Sequence, residues 1–433
     1  MRLHSVMTMC ENSLYWRIFM SYIRDINLAP SGNDKIEWVR RNMPLLRSIH
    51  KQFEKDQPFK GLKIGLSIHL EAKTAYLCRV LAAGGAEMHI TGSNPLSTQD
   101  DVAAALAADG LNVYAFHGAD AKLYDECIEM VVKAEPDIII DDGGDILNML
   151  HNKYPELEKK VIGGGEETTT GIIRLKAMER DGELKFPMFD VNDANCKHLF
   201  DNRYGTGQSV FDGINGTTNL IVAGKHVVVA GYGWCGRGTA MRAKGLGAKV
   251  IITEVDPVKA IEAVMDGFEV MPMAEAAKIG DLFVTTTGCN QVITEDHFYT
   301  MKDGVLLSNA GHFNVEVDVA RLEEIAVETK LMKPNIMGYK LSNGNWLYVL
   351  GEGRLVNLAA GNGHPAEIMD MSFAIQALCA RYHADHRGEL PVKLMPVPEE
   401  IDDQVARMKL ESMGISIDVL TPEQEKYLSS WQI

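Results

Sequence analysis

Residues 225–238 read KHVVVAGYGWCGRG. The run Val227, Val228, Val229 is what a parallel strand buried on both faces requires. Three glycines follow it closely, at Gly231, Gly233 and Gly236. The first turns the chain tightly, the second lets a pyrophosphate approach the backbone, and the third lets a helix pack close on the strand. A plain strand-to-helix turn is the other reading, and the flanking residues separate the two. TAMRAKGLGA (239–248) is rich in helix formers, and KVIITE (249–254) is a second apolar strand ending at Glu254, 23 residues after Gly231. A buried carboxylate at that tip accepts from a ribose 2′-hydroxyl and repels a 2′-phosphate. The stretch predicts a Rossmann unit that binds NAD and excludes NADP.

Outward from it, strands and helices alternate. LKIGLSIHL (62–70), EMHITG (87–92), LNVYAF (111–116) and PDIIIDDGGD (136–145) read as strands. KTAYLCRVLAAGGA (73–86) and the Ser/Thr-capped STQDDVAAALAADG (97–110) read as helices between them. The alternation predicts an α/β chain with two doubly wound parallel sheets. Residues from about 35 to 60 have amphipathic helical spacing throughout. The expected division is a substrate domain over 20–192, completed by 360–395, an NAD domain over 193–359, and a C-terminal oligomerisation segment over 396–433. Residues 1–19 read as an extension, with Met20 a candidate start.

Length and charge bound the function. A chain of 433 residues exceeds one ordinary core. With 43 basic and 59 acidic residues its formal charge is −16, and no long Lys/Arg run appears, so nucleic acid and anionic membranes are not expected partners. Seven scattered cysteines form no CxxC pair, which suits a reducing cytoplasm and argues against a structural metal site. No apolar run reaches the roughly 18 residues that span a bilayer.

Ionisable residues cluster where strands end, the edge at which open parallel sheets bind ligands. His69 follows KIGLSI, Asp141 and Asp142 follow DIII, and Glu166 and Glu167 precede Thr168, Thr169 and Thr170. Within VNDANCKHLFDN (191–202), Lys197 and Asp201 are spaced i,i+4 and can pair on one helical face. A surface ion pair would show the same spacing. By spacing alone His312 and His364 read as capping or core histidines, and Cys235 as a small packing residue. The residues predict an NAD enzyme with an acid- and base-rich cleft, without specifying its reaction.

The ordered set is more specific. HLEAKTA (69–75), STQDD (97–101), DDGGD (141–145), EETTTG (166–171), VNDANCKHLFDNRYGTGQS (191–209), AGYGWCGRG (230–238), ITEVDP (252–257), NAGHF (309–313), EGRLVNLAAGNGHP (352–365) and LTPEQEKYL (420–428) resemble the S-adenosylhomocysteine hydrolase (adenosylhomocysteinase) family, from about residue 35 to 430. The resemblance implies reversible hydrolysis of S-adenosyl-L-homocysteine to a nucleoside and L-homocysteine. Firmly bound NAD oxidises the ribose 3′-hydroxyl, the ketone acidifies the C4′ proton, homocysteine leaves, water adds, and the hydride returns.

The same resemblance assigns roles. Lys197, paired with Asp201, matches the 3′-hydroxyl base, and a buried lysine with a lowered pKa would serve. His69 and Asp142 match a second acid/base centre. Glu167 and Thr168 to Thr170 match ribose or nicotinamide contacts, and Asn202, Asn290 and Asn357 match cofactor contacts. His312 with Phe313 matches a gate, and His364 a loop that closes over the base. A homotetramer is implied. Two departures stand out. The chain stops at YLSSWQI, short of the lysine- and tyrosine-bearing tail that in longer members reaches a neighbour's NAD. The base-reading H-x-T-x-E/Q-T is here His69-Leu70-Glu71-Ala72-Lys73-Thr74, and a lysine only donates. S-inosyl-L-homocysteine therefore stands beside the adenosyl substrate, with a non-catalytic NAD-binding regulator and a plain dehydrogenase as remoter alternatives.

Overall fold

The computed structural model describes residues 21–431, so the expected extension over 1–19 lies outside the described residues. Strands β1 to β7 are Tyr22–Ile23, Lys63–Ser67, Glu87–Thr91, Asn112–Ala115, Ile138–Asp141, Gly163–Glu166 and Met188–Asp190. Strands β8 to β15 are His226–Ala230, Lys249–Thr253, Glu269–Val270, Leu282–Thr285, Val305–Asn309, Glu328–Lys333, Ile336–Lys340 and Trp346–Leu350, and β16 is Leu394–Pro396. One sheet runs β1-β4-β3-β2-β5-β6-β7-β16 and is parallel throughout. The other runs β10-β9-β8-β11-β12-β15-β14-β13 and turns antiparallel at its last two pairings.

Both sheets contain the doubly wound order 3-2-1-4-5-6, as β4-β3-β2-β5-β6-β7 and as β10-β9-β8-β11-β12-β15. The expected α/β class with two parallel sheets is what the chain adopts. The central strands are apolar on both faces: Ile138, Ile139 and Ile140, like Val227, Val228 and Val229, are buried between covering helices. In each sheet the order reverses between two neighbours, β2 and β5 or β8 and β11. A crevice opens beyond their carboxyl ends at such a reversal.

Strand β6 begins GGG, and the structure explains why. A Cβ at Gly163 would lie 2.1 Å from His383 Nδ1, and one at Gly165 would lie 2.7 Å from Gln376 Oε1. The strand gives up side chains so that the helix Ala366–Asp385 can lie directly against it.

Two local expectations change. The amphipathic stretch over 35–60 is two helices, Ala29–Arg41 and Pro44–Asp56. Pro44 lacks an amide hydrogen and disfavours helical backbone before it, and Met43 sits at φ −123°, ψ 73°. The Asp370 carboxylate accepts from Leu45 N and Leu46 N, each at 2.9 Å, and so caps the second helix. The segment holding Lys197 and Asp201 is a short turn, Asn195–Lys197, running into the π-helical stretch His198–Gly205 rather than a regular α-helix.

Candidate functional site

The carboxyl ends of β2 and β5 bring His69 and Asp142 together. His69 Nε2 lies 3.4 Å from Asp142 Oδ2, and His312 Nδ1 lies 3.6 Å from Asp142 Oδ1, so one carboxylate stands between two imidazoles. Ser93 Oγ donates to Asp142 Oδ2 at 3.1 Å, and Ser97 Oγ contacts His69 Nδ1 at 2.7 Å. Burial pushes His69 down to about 4 against the opposing pull of Asp142, so near neutrality its ring is uncharged. The ligating atoms of His69, Asp142 and His312 fall within 4.8 Å of one another, a spacing that could hold a metal ion.

A second charged centre faces it. Lys197 Nζ lies 3.1 Å from Asp201 Oδ2 and 3.8 Å from Glu167 Oε1, and donates to Asn202 Oδ1 at 2.6 Å. The expected lowered pKa of Lys197 does not occur. Burial alone would depress it, but Asp201 and Glu167 outweigh burial and raise it above the ordinary lysine range. The group displaced toward neutrality is Glu167, which burial first and Asp201 second push up to about 8, with Lys197 opposing. Asp201 stays ionised: burial disfavours its charge, but Lys197 and His364 hold it below the usual carboxylate range. Its other oxygen contacts His364 Nδ1, tying the loop after Gly361 to the centre.

At the far end, Lys73 is buried with Glu71. Lys73 Nζ donates to Glu71 Oε2 at 2.7 Å and to the carbonyl of Asn362 at 2.9 Å, leaving one N–H on a side chain that lines the cleft. Thr74 Oγ1 donates to the carbonyl of His69 at 2.6 Å, linking this end of the cleft to the first centre.

The glycine turn has its own crevice at the ends of β8 and β11. Gly231 has φ +95°, a conformation L side chains rarely adopt. A Cβ on Gly236 would fall 2.0 Å from the carbonyl oxygen of Gly231, whereas at Gly233 it would meet nothing within 4 Å. Open space at the second glycine and close contact at the third suit a pyrophosphate at the start of the helix Trp234–Gly245. Glu254 is half-buried rather than buried, and accepts from Tyr232 N at 2.6 Å and Val255 N at 2.7 Å. Asn357 Oδ1 is buried without a partner where it can meet a polar ligand group. These residues fit NAD.

One cleft between the two sheets is lined by His69, Glu71, Lys73, Thr74, Asp142, Glu167, Thr168, Thr169, Lys197, Asp201, Asn202, His312, Asn357 and His364. Thr170, the glycines, Glu254 and Asn290 do not line it, and Asn290 is exposed in the loop after β11. Sequence reasoning missed Gln376, whose Nε2 donates to Glu167 Oε2 at 2.7 Å, and Ser372, whose Oγ donates to Asp201 Oδ2 at 3.2 Å. Their signal was a Ser and a Gln one turn apart within the otherwise apolar run 371–380 of that helix. Cys235, read as packing, lines the cleft, with Thr206 Oγ1 at 3.6 Å from its sulfur.

Two doubly wound domains, a glycine crevice suited to NAD and an interdomain cleft with two acid–base centres define an NAD-dependent enzyme of the two-domain α/β class. The chain belongs to the S-adenosyl-L-homocysteine hydrolase family. The model for "S-adenosyl-L-homocysteine hydrolase, NAD binding domain" matches residues 202–363, and that for "S-adenosyl-L-homocysteine hydrolase" matches residues 20–156. The chain is 58% identical over 410 residues to the adenosylhomocysteinase of Thermococcus kodakarensis, covering 95% of this chain and 97% of that one. It is 56% identical over 412 residues to the adenosylhomocysteinase of Aquifex aeolicus, covering 95% and 99%. It is also 58% identical over 406 residues to the S-inosyl-L-homocysteine hydrolase of Methanosarcina mazei, covering 94% and 98%. The chain is thus a hydrolase with NAD as its cofactor. Overall identity does not distinguish the two named activities.

Proposed function

We propose that this chain reversibly hydrolyses an S-nucleosyl-L-homocysteine to a nucleoside and L-homocysteine, and that hypoxanthine is the base it reads best. The observation that carries the reaction is the pair of acid–base centres, Lys197–Asp201–Glu167 and His69–Asp142–His312, lining one cleft. NAD, when bound, takes up and returns the reducing equivalent at the ribose 3′ carbon.

The chain's own groups handle the protons. Lys197 rests as an ammonium ion, so it accepts a 3′-hydroxyl proton only as its own passes to a neighbour. Glu167, at 3.8 Å, can receive it only as the carboxylate, the form that Lys197 favours and burial opposes. Asp201 holds the ammonium in place. Asp142, steadied by Ser93 and flanked by two imidazoles, is positioned to take the C4′ proton and to pass one to departing homocysteine or take one from incoming water.

For the base, Lys73 is 6% exposed and its remaining N–H matches a 6-keto acceptor, while Glu71 can accept from a protonated N1. The adenosyl reading rests on the Lys73–Glu71 pair itself: an ammonium already engaged by Glu71 and Asn362 leaves the base to backbone groups of the 361–364 loop. Parallel kcat/KM measurements on S-inosyl- and S-adenosyl-L-homocysteine test the assignment. A clear preference for the adenosyl compound would reject the base while leaving the reaction.

The chain's division into a substrate domain over 20–192 with 360–395, an NAD domain over 193–359 and a tail over 396–433 fits this scheme, with hinges near Asn192–Lys197 and Gly361–His364. A homotetramer is the assembly we infer, supported by a tail whose Val419, Leu420, Tyr427, Leu428 and Trp431 are all exposed. Free cysteines at all described positions support a reducing, cytoplasmic setting. Among the described residues no helix is long and apolar enough to cross a membrane.

A further inference from the structure

A small basic pocket lies where the helices Ala29–Arg41, Pro44–Asp56 and Ala72–Ala83 meet. It is lined by Arg40, Arg47, His50, Lys51 and Tyr76, and shares no residue with the catalytic cleft. We propose that it binds a small oxyanion of the phosphate type.

The pocket has a built floor. Tyr76 is 2% exposed, yet its hydroxyl has no hydrogen-bond partner among the described residues. Burial pushes Tyr76 up to about 12, so the hydroxyl keeps its proton and remains a donor. His50 Nδ1 is likewise buried without a partner, and its ring stacks on Tyr76 with centroids 6.3 Å apart and planes 15° from parallel. An unpaired buried nitrogen of His50 and a Tyr76 hydroxyl free to donate, both beside one pocket, are accounted for by a polar occupant.

The rim sets the sign of the occupant. Glu37 neutralises Arg40 through two hydrogen bonds, at 2.7 and 2.6 Å. Arg47 donates to the carbonyls of Arg40 and Arg41 from Nη1 alone, and has no carboxylate partner among the described residues. Lys51 is exposed and also lacks one. Glu54, toward His50, and Asp370, toward Tyr76, are the acids that act on the floor. Asp370 is turned onto Leu45 N and Leu46 N rather than onto a cation. On a chain of net charge −16, two unmatched cations above two idle polar groups mark an anion site.

Calorimetric titration of the full-length holoenzyme with inorganic phosphate, at constant ionic strength, tests the proposal. One-site binding is expected. Tyr76→Phe, which keeps the ring and its packing, should weaken it roughly tenfold. Lys51→Glu, on an exposed side chain, should weaken it at least as much, while Arg387→Glu on a distant basic groove should leave it unchanged. A parallel titration with glycerol 3-phosphate separates the sources: tighter binding assigns a phosphomonoester, and equal or weaker binding assigns free phosphate. Absent binding, equal affinity in Tyr76→Phe and Lys51→Glu, loss in Arg387→Glu, or displacement by a nucleoside in the catalytic cleft would each overturn the site.

Discussion

The Lys197 ammonium stands 3.8 Å from the Glu167 carboxylate, both side chains are buried, and each moves the other's proton affinity. Lys197 is held charged, and Glu167 is the member of the pair that changes protonation near neutrality. In the mechanism proposed above, the base of the first step is thus a property of the pair.

Lys197→Met should abolish 3′-oxidation, with kcat down about 10²–10⁴-fold. Stopped-flow absorbance of reduced nicotinamide after substrate addition reads this directly. A normal burst in the variant would remove Lys197 from that step. The variant should also melt at lower temperature, because the buried Asp201 loses its lysine partner.

Glu167→Gln should flatten the pH dependence of stability. The carboxyl's folded pKa, about 8, lies above its ordinary 4.5, so its contribution is fully present below the unfolded value. It is lost as pH rises through the folded one. Wild-type stability should therefore fall from about pH 5 to pH 8 more steeply than that of the glutamine variant in denaturant titrations. Identical slopes would contradict the raised pKa.

Asp142→Asn should leave oxidation largely intact and slow elimination about 10²–10⁴-fold, because the amide cannot take the C4′ proton. Reduced nicotinamide should accumulate on the enzyme while homocysteine release lags. Ser93→Ala, which removes only the 3.1 Å hydrogen bond to Asp142, should slow the same step by a few fold.

Lys73→Gln should move preference from the inosyl toward the adenosyl substrate. Leaving one buried polar group unpaired costs about 1–3 kcal/mol, which corresponds to roughly 5- to 150-fold in the kcat/KM ratio. A ratio unchanged by the substitution would mean that Lys73 serves only Glu71 and the Asn362 carbonyl.

Glu254→Gln should narrow the preference for NAD over NADP, measured as the ratio of cofactor affinities on apoenzyme. The effect should be moderate, since the half-buried carboxylate is partly screened and already engaged by Tyr232 N and Val255 N. Equal affinity of the unsubstituted protein for both cofactors would remove Glu254 from the discrimination.

Much of this was legible in the chain because it is local. An apolar run followed by glycines at Gly231, Gly233 and Gly236 determines a strand, a turn and a helix start, since burial on both faces and positive φ are demands on single residues. The i,i+4 spacing of Lys197 and Asp201 survived even a π-helical backbone, because one turn still brings the side chains together. Tertiary structure alone decided what those groups do. Gln376 reaches Glu167 across 209 residues and Ser372 reaches Asp201 across 171, through a helix that only a glycine-faced strand could seat. The sign of the Lys197 shift was set the same way: burial and charge act in opposite directions, and the outcome depends on distances in space that no spacing along the chain encodes.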